Sequence, residues 1–337
     1  MLSVKTNPKD IVPLGQKIAF GAGNLTNQLL PAALGVFMFF LVVGFGMSPY
    51  KAGILAAIPR FIDAILDPIM GFISDNTRSR WGRRKPYIFG GAIVTGLAFI
   101  LMWQLKIPEA GNNHETYNFF YFLLMSVVFY LGYTVFAAPL IGLGYEMTPD
   151  YNERTRLMAM SQIMGQIAWM IAPWFWFIIA RPEIFPNAPT GVKQLSIWVG
   201  LLCLVMGVMP ALFCREVDQS NLQGQTKLSF SAIFSNLTHF FSDIAKTVTN
   251  KPFLRLCGAT FLVFNGFQIV AQFAFFIIIF YLYNGDQQAA GQWPAWFGTV
   301  SALATALLVI PIITYMSTKT GKLKAFIIST LISIVGY

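Results

Sequence analysis

The sequence predicts an all-α polytopic membrane protein, on three observations. Of its 337 residues 56% are hydrophobic, only 11% are charged and 32 are Phe, a composition far from that of soluble domains. The apolar residues gather in runs of about 20 or more, each long enough to cross a bilayer. The basic residues collect in alternate connections between those runs.

Taken in order, the chain opens on a polar segment, Met1 to Lys17, with three lysines. No short apolar core with a cleavage site follows, so a removed signal peptide is not expected. Spans are predicted at 18–46, 50–75, 86–105, 118–146, 157–180, 196–214, 253–283 and 295–316, with a ninth from Ala325. Pro and Gly inside several of them are tolerated in membrane helices. With the N-terminus in the cytoplasm, only Lys51, Lys106, Arg181 and Lys193 of the 23 basic residues fall outside, and Arg60 falls within the membrane. Topology therefore accounts for the net charge of +9, and no nucleic-acid partner is needed to explain it.

The second span departs from this pattern. Residues 52–74 are apolar except for Arg60, Asp63 and Asp67. Their i, i+3, i+7 spacing puts them within about 60° of one another on one helix face. An ionisable group in mid-membrane costs roughly 3 kcal/mol on insertion scales, so this face should turn to protein or water. A structural Arg–Asp pair would explain two of the charges and leave the second carboxylate over. Two carboxylates beside one arginine can instead hold a proton or a cation.

Other chemistries lack their residues. Cys203, Cys214 and Cys257 lie in or beside apolar spans, without the spacing of a disulfide framework or zinc site. His114 and His239 are far apart in loops, and no phosphate loop, GxGxxG or HExxH occurs. The six-span segment 1–214 reads as one bundle, 215–252 as a central cytoplasmic loop, and 253–337 as an incomplete second bundle. An amphipathic stretch around residues 230–245 of that loop could lie on the membrane surface. Gly82-Arg-Arg-Lys-Pro follows the second span and Gly321-Lys-Leu-Lys-Ala the eighth, as two parallel repeats would have it. On that plan the chain ends after about nine of twelve helices.

Two motifs carry a family resemblance. Arg60-x-x-Asp63-x-x-x-Asp67-Pro68-x-x-Gly71, followed by Thr77-x-Ser79-x-Trp81-Gly82-x-x-x-Pro86, resembles the glycoside–pentoside–hexuronide:cation symporters of the major facilitator superfamily. Gly144-Tyr-Glu146-Met-Thr-Pro-Asp150-Tyr151-x-Glu153-Arg154-Thr155-Arg156 is similar to their loop between helices four and five, and Phe20-Gly21-x-Gly23-Asn24 to the opening of helix one. The resemblance implies a major facilitator fold and symport of a sugar or glycoside with Na+ or H+ by alternating access, with no other cofactor. It also implies a bacterial inner membrane location. Asp63 and Asp67 match the family's cation site, to which Tyr133-Thr134 on helix four also contributes, with Arg60 as charge partner. In the family's best-known member an asparagine stands where this chain has Leu66, so one oxygen ligand is lost and H+ stays open beside Na+. The acidic residues that hold sugar there, with their arginine and tryptophan, become Gln28, Ala137, Gln162 and Ile141 here. A galactoside is therefore doubtful, whereas a less polar glycoside or a charged solute fits as well.

Amides offer replacements: Asn24, Asn27 and Gln28 on helix one, Gln162 and Gln166 beside Trp169 on helix five, and Asn265, Gln268 and Gln272 on helix seven. They should face the interior, either bonding helix to helix or lining a cavity. Trp169, Trp174 and Trp176 could stack on a sugar or belong to the interfacial belt. In the basic turn, positive-inside orientation explains the cations but not Asp75. Asp75, Arg83 and Arg84, with Glu146 and Arg154 from the next cytoplasmic loop, are the expected cytoplasmic gate. A facilitator or exporter on the same fold, or a non-transporting sensor or scaffold, are the competing functions; oligomeric state is open.

Overall fold

A computed structural model describes residues 10–77, 79–109, 114–179, 181–216, 247, 249–284 and 292–336. Two compact units divide the chain, Met1–Thr226 and Lys227–Tyr337. The first holds α1 (Leu14–Val43), α2 (Pro49–Asn76), α3 (Lys85–Met102), α4 (Glu115–Glu146), α5 (Tyr151–Ile179) and α6 (Ala188–Phe213). The second holds α7 (Lys251–Phe276, running on as a π-helix Ile277–Leu282), then α8 and α9. A π-helical turn, Thr305–Val309, joins the two parts of α8, Trp293–Ala304 and Ile310–Thr320. Helix α9 is Lys322–Gly336. Most of the central connection, with its amphipathic stretch, lies outside the described residues.

Among the described residues nine helical segments thus stand where the apolar runs predict them, and two of them start markedly earlier. Helix α5 begins at Tyr151, not 157, because the Asp150 carboxylate accepts from the Glu153 N–H at 2.7 Å. Helix α6 begins at Ala188, not 196, because Asn187 accepts from the Thr190 N–H at 2.9 Å and Pro189 occupies its first turn. Both first turns are polar, so apolar periodicity misses them while the caps find them. Six of the described helices are long and apolar enough to cross a membrane. Helix α2 is not among them, since its charged triplet interrupts the apolar run.

In the first unit α1 packs on α5 and α6, α3 on α4 and α6, and α2 on α4. Small residues permit the close crossings. A Cβ on Gly91 would lie 2.5 Å from the Phe136 backbone nitrogen, and one on Gly200 3.0 Å from the Gly96 carbonyl. Around Phe37 the core is aromatic, with Trp103 edge-on at 5.2 Å and Phe99 and Phe175 at 6.0 Å. Both glycines of the repeated basic turns adopt positive φ, +106° at Gly82 and +88° at Gly321, a conformation that suits glycine and little else.

Candidate functional site

Polar residues of α1, α2, α4 and α5 collect at mid-depth in the first unit. At 1.5 Å per residue, Gln28, Arg60, Asp63, Asp67, Thr134, Gln162 and Trp169 all lie within about 7 Å of the middle of their own helices. Interfacial residues would sit about 15 Å away. Solutes and coupling ions bind near the midplane in transporters of this general build.

The acid pair is built by α2 and α4. Asp63 is part-buried and Asp67 exposed. The buried Thr134 hydroxyl donates to Asp63 Oδ1 and lies within reach of Asp67, and the two carboxylates repel each other. The neighbouring Tyr133 gives them no hydrogen bond, although it lies close enough to feel both charges: its hydroxyl donates to the Asn27 carbonyl of α1 at 2.9 Å. Arg60 forms no ion pair with either aspartate; its exposed guanidinium lies beside the Tyr130 hydroxyl on α4. Tyr130 was missed in the sequence, although it stands one helical turn before Thr134.

The amides divide between stitching helices and facing open space. Asn24 Nδ2 donates to the Ser161 carbonyl of α5 at 2.8 Å, and Trp169 Nε1 donates to Gln28 Oε1 at 3.2 Å. Asn27 Oδ1 is buried without a partner. Gln162 is exposed, Gln166 part-buried, and neither bonds a described residue. Ala137 is buried, whereas Ile141 is 51% exposed. Trp176 is buried against Phe39 and Phe40, and Trp174 packs edge-on to Phe177. In the second unit Asn265 donates to the Phe261 carbonyl of its own helix at 2.8 Å. Gln268 and Gln272 follow on α7, with side chains outside the described set.

At the end of the first unit that carries the Gly82 turn, Arg84 joins two acids: its Nε donates to Asp75 Oδ1 at 3.0 Å and its Nη2 lies 3.2 Å from Glu146 Oε1. Arg83 pairs with the same Glu146 oxygen. A Cβ on Gly142 would meet Arg84 Cζ at 2.5 Å, so that glycine opens the slot for the guanidinium. Glu216, just past α6, accepts from the backbone N–H groups of both Arg83 and Arg84 at 3.2 Å. It therefore sits on the positive end of α3. Nothing in its local sequence marks it, beyond being an acid at the start of a polar segment. Arg154 lies apart from this cluster: it donates to the Thr148 carbonyl at 3.1 Å, which closes the α4–α5 turn on itself. Glu153, wholly buried, pairs instead with Lys17 at 2.6 Å and accepts from the Val12 N–H at 3.1 Å.

Residues 19–337 match the family described as MFS/sugar transport protein. The chain belongs to that family. It is an integral membrane protein with its family's helical architecture. Among its relatives, the uncharacterized symporter sll1374 of Synechocystis sp. is 40% identical over 146 residues, 42% of this chain and 26% of that protein. The isoprimeverose transporter of Lactiplantibacillus pentosus is 23% identical over 337 residues, 97% of this chain and 64% of that protein. Sodium-dependent lysophosphatidylcholine symporter 1 of Mus musculus is 29% identical over 157 residues, 45% of this chain and 29% of that protein. In each case the chain spans less than two thirds of the relative's length.

Proposed function

We propose that the protein is a secondary active transporter that carries a sugar or glycoside together with Na+ or H+ by alternating access, and catalyses no covalent chemistry. One observation carries the reading: two mid-depth carboxylates, Asp63 and Asp67, share a buried hydroxyl, Thr134, at the same depth as the uncharged amides of α1 and α5. A lipid-facing acid pair would be costly, and a purely structural pair would close on Arg60, which it does not. The acids bind the coupling ion, and occupancy shifts the balance between outward- and inward-open states through its different affinity for each. Membership of a sugar transport family and a relative that moves isoprimeverose support the cargo. Symporters among the relatives support the coupling. The Asp75–Arg84–Glu146–Arg83 cluster, with Glu216, holds the cytoplasmic ends of α2, α3, α4 and α6 as the gate of the outward-open state.

Uptake into vesicles by the full-length protein tests this. Labelled mono- and disaccharides, pentosides and hexuronates are offered under an imposed Na+ or H+ gradient. Uptake should follow one gradient, and Asp67→Asn should abolish concentrative uptake while leaving downhill exchange. Concentrative uptake by that variant at the wild-type rate would rule the acid pair out. Movement that ignores both gradients would identify a facilitator, and outward movement an exporter.

A further inference from the structure

Among the described residues of the first unit, Arg60 is the one cation at mid-depth, and Asp63 and Asp67 are the only acids there. Side chains three residues apart on a helix are neighbours, so Arg60 is within reach of Asp63. Away from bulk water, opposite charges at that spacing attract strongly. Yet the two do not pair. The exposed Arg60 guanidinium bonds the Tyr130 hydroxyl instead, while Asp63 accepts from Thr134. These contacts run in the same order along both helices: Arg60 with Tyr130 makes one rung between α2 and α4, and Asp63 with Thr134 makes the next. Tyr130 stands within about 1 Å of the middle of α4. Its ring has little freedom, since Phe129 lies edge-on to it at 5.2 Å and Tyr133 edge-on at 6.5 Å. Both neighbours are fixed in turn, Phe129 against Phe99 at 5.9 Å in the core and Tyr133 by its bond to the Asn27 carbonyl of α1.

From this arrangement we propose that Tyr130 is a positioning residue of the ion site: it parks Arg60 off the acid pair, and so leaves Asp63 and Asp67 open to the coupling ion. The inference rests on the transport reading above and deepens it. Arg60 is then an internal competitor of the ion. With the ion bound, the guanidinium stays on the phenol. With the ion gone, two like charges stand together at mid-depth, which is unfavourable, and Arg60 crosses to them by side-chain rotation alone. The phenol suits this task because it is neutral. Its bond to a cation is stronger than one between two neutral groups, yet it yields to a bare pair of carboxylates. The charges also give the stoichiometry. Two carboxylates and one guanidinium leave one net negative charge, which one monovalent cation cancels.

Ion affinity without solute tests the proposal on the full-length protein in detergent. It is read as the stabilisation against melting on titration with Na+ at constant ionic strength, and separately with H+. Tyr130→Phe keeps the ring and removes the hydroxyl. It should raise the ion concentration for half-maximal stabilisation about five- to tenfold, because the released Arg60 occupies the acids. Arg60→Gln should lower that concentration. In the Arg60→Gln background Tyr130→Phe should add nothing, because no guanidinium is left to park. Equal shifts from Tyr130→Phe in both backgrounds would make Tyr130 a packing residue and overturn the proposal. An unchanged constant in Tyr130→Phe overturns it too, and is the result expected if Arg60 serves an anionic solute instead. A raised constant in Arg60→Gln overturns the competitor. Monodisperse elution of each variant excludes misfolding as the cause, and Arg60→Met takes the place of Arg60→Gln if the latter fails that check. Wild-type protein that neither ion stabilises overturns the ion site itself, and with it the transport reading, before any variant is compared.

Discussion

Gly82→Ala probes the fit between the basic turn and the residue that follows α6. The added methyl group meets two obstacles. At φ +106° an L-residue is strained, at a cost of about 1–3 kcal/mol. Its Cβ would also overlap Glu216 Oε2 and lie 3.1 Å from the Cδ behind it, so the carboxylate must leave. Departure strips the Arg83 and Arg84 backbone N–H groups of their acceptor and takes a 90%-buried carboxylate away from Arg83. Bonds to a charged group are worth about 1.5–3 kcal/mol each. Since water at the membrane surface replaces part of them, about 3 kcal/mol for the two together is the working figure. The full substitution then costs about 4–6 kcal/mol, a shift of roughly 8–24 °C in the apparent melting temperature of a unit this size. In a Glu216→Ala background the acceptor is already gone and the overlap removed, so Gly82→Ala should add only the backbone strain. The assay is thermal melting of the four members of this double-mutant cycle in detergent. Equal shifts from Gly82→Ala in both backgrounds would refute the interlock and leave Gly82 explained by its φ alone.

Three further substitutions read other contacts. Thr134→Val keeps the shape but removes the hydroxyl that Asp63 accepts from, and should raise the cation concentration for half-maximal uptake about tenfold. Thr134→Ser should restore it, and an unchanged requirement would take Thr134 out of the ion site. Tyr133→Phe should leave that requirement near wild type, because its hydroxyl serves α1, but should weaken the dependence of solute KM on the cation. A raised cation requirement with intact coupling would return the phenol to the ion site. Glu153→Gln leaves Lys17 facing an uncharged group in a buried pair and should cost about 3 kcal/mol, read as a lowered melting temperature. Adding Lys17→Met should recover part of the loss, and no recovery would mean that the lost pair with Arg156, at 3.4 Å, carries it.

The sequence makes the helices legible because hydrophobic length and turn chemistry are local properties. It also yields the acid pair, since three charges in an apolar span need a reason. What it hides depends on which way a side chain points across a helix–helix seam. Tyr133 and Thr134 are adjacent, and 100° of helical rotation sends one hydroxyl to α1 and the other to α2. Arg154 shares a motif with Glu146 yet is consumed locally by the Thr148 carbonyl. Glu216 stands 132 residues from Arg84 in the chain, and only the fold brings the end of α6 against the start of α3.

The two polar regions of the first unit solve opposite problems. At the basic end, most charges find partners: Arg84 takes Asp75 and Glu146, Arg83 takes Glu146 and Glu216, and Lys17 takes Glu153. Such pairing suits an element that must hold the helix ends in one arrangement and release them together. At mid-depth the hydrogen bonds stop short of closure. Asn24 spends its amide hydrogen on Ser161 and Gln28 its oxygen on Trp169, which fixes where these side chains stand. Among the described residues Gln162, Gln166 and Asn27 Oδ1 keep capacity unspent, and Asp67 remains exposed. Unspent polar capacity in the middle of a membrane bundle is unfavourable unless water or a solute uses it. A helix-to-helix role alone would have used all of it, so the remainder argues that this face opens on a path for cargo.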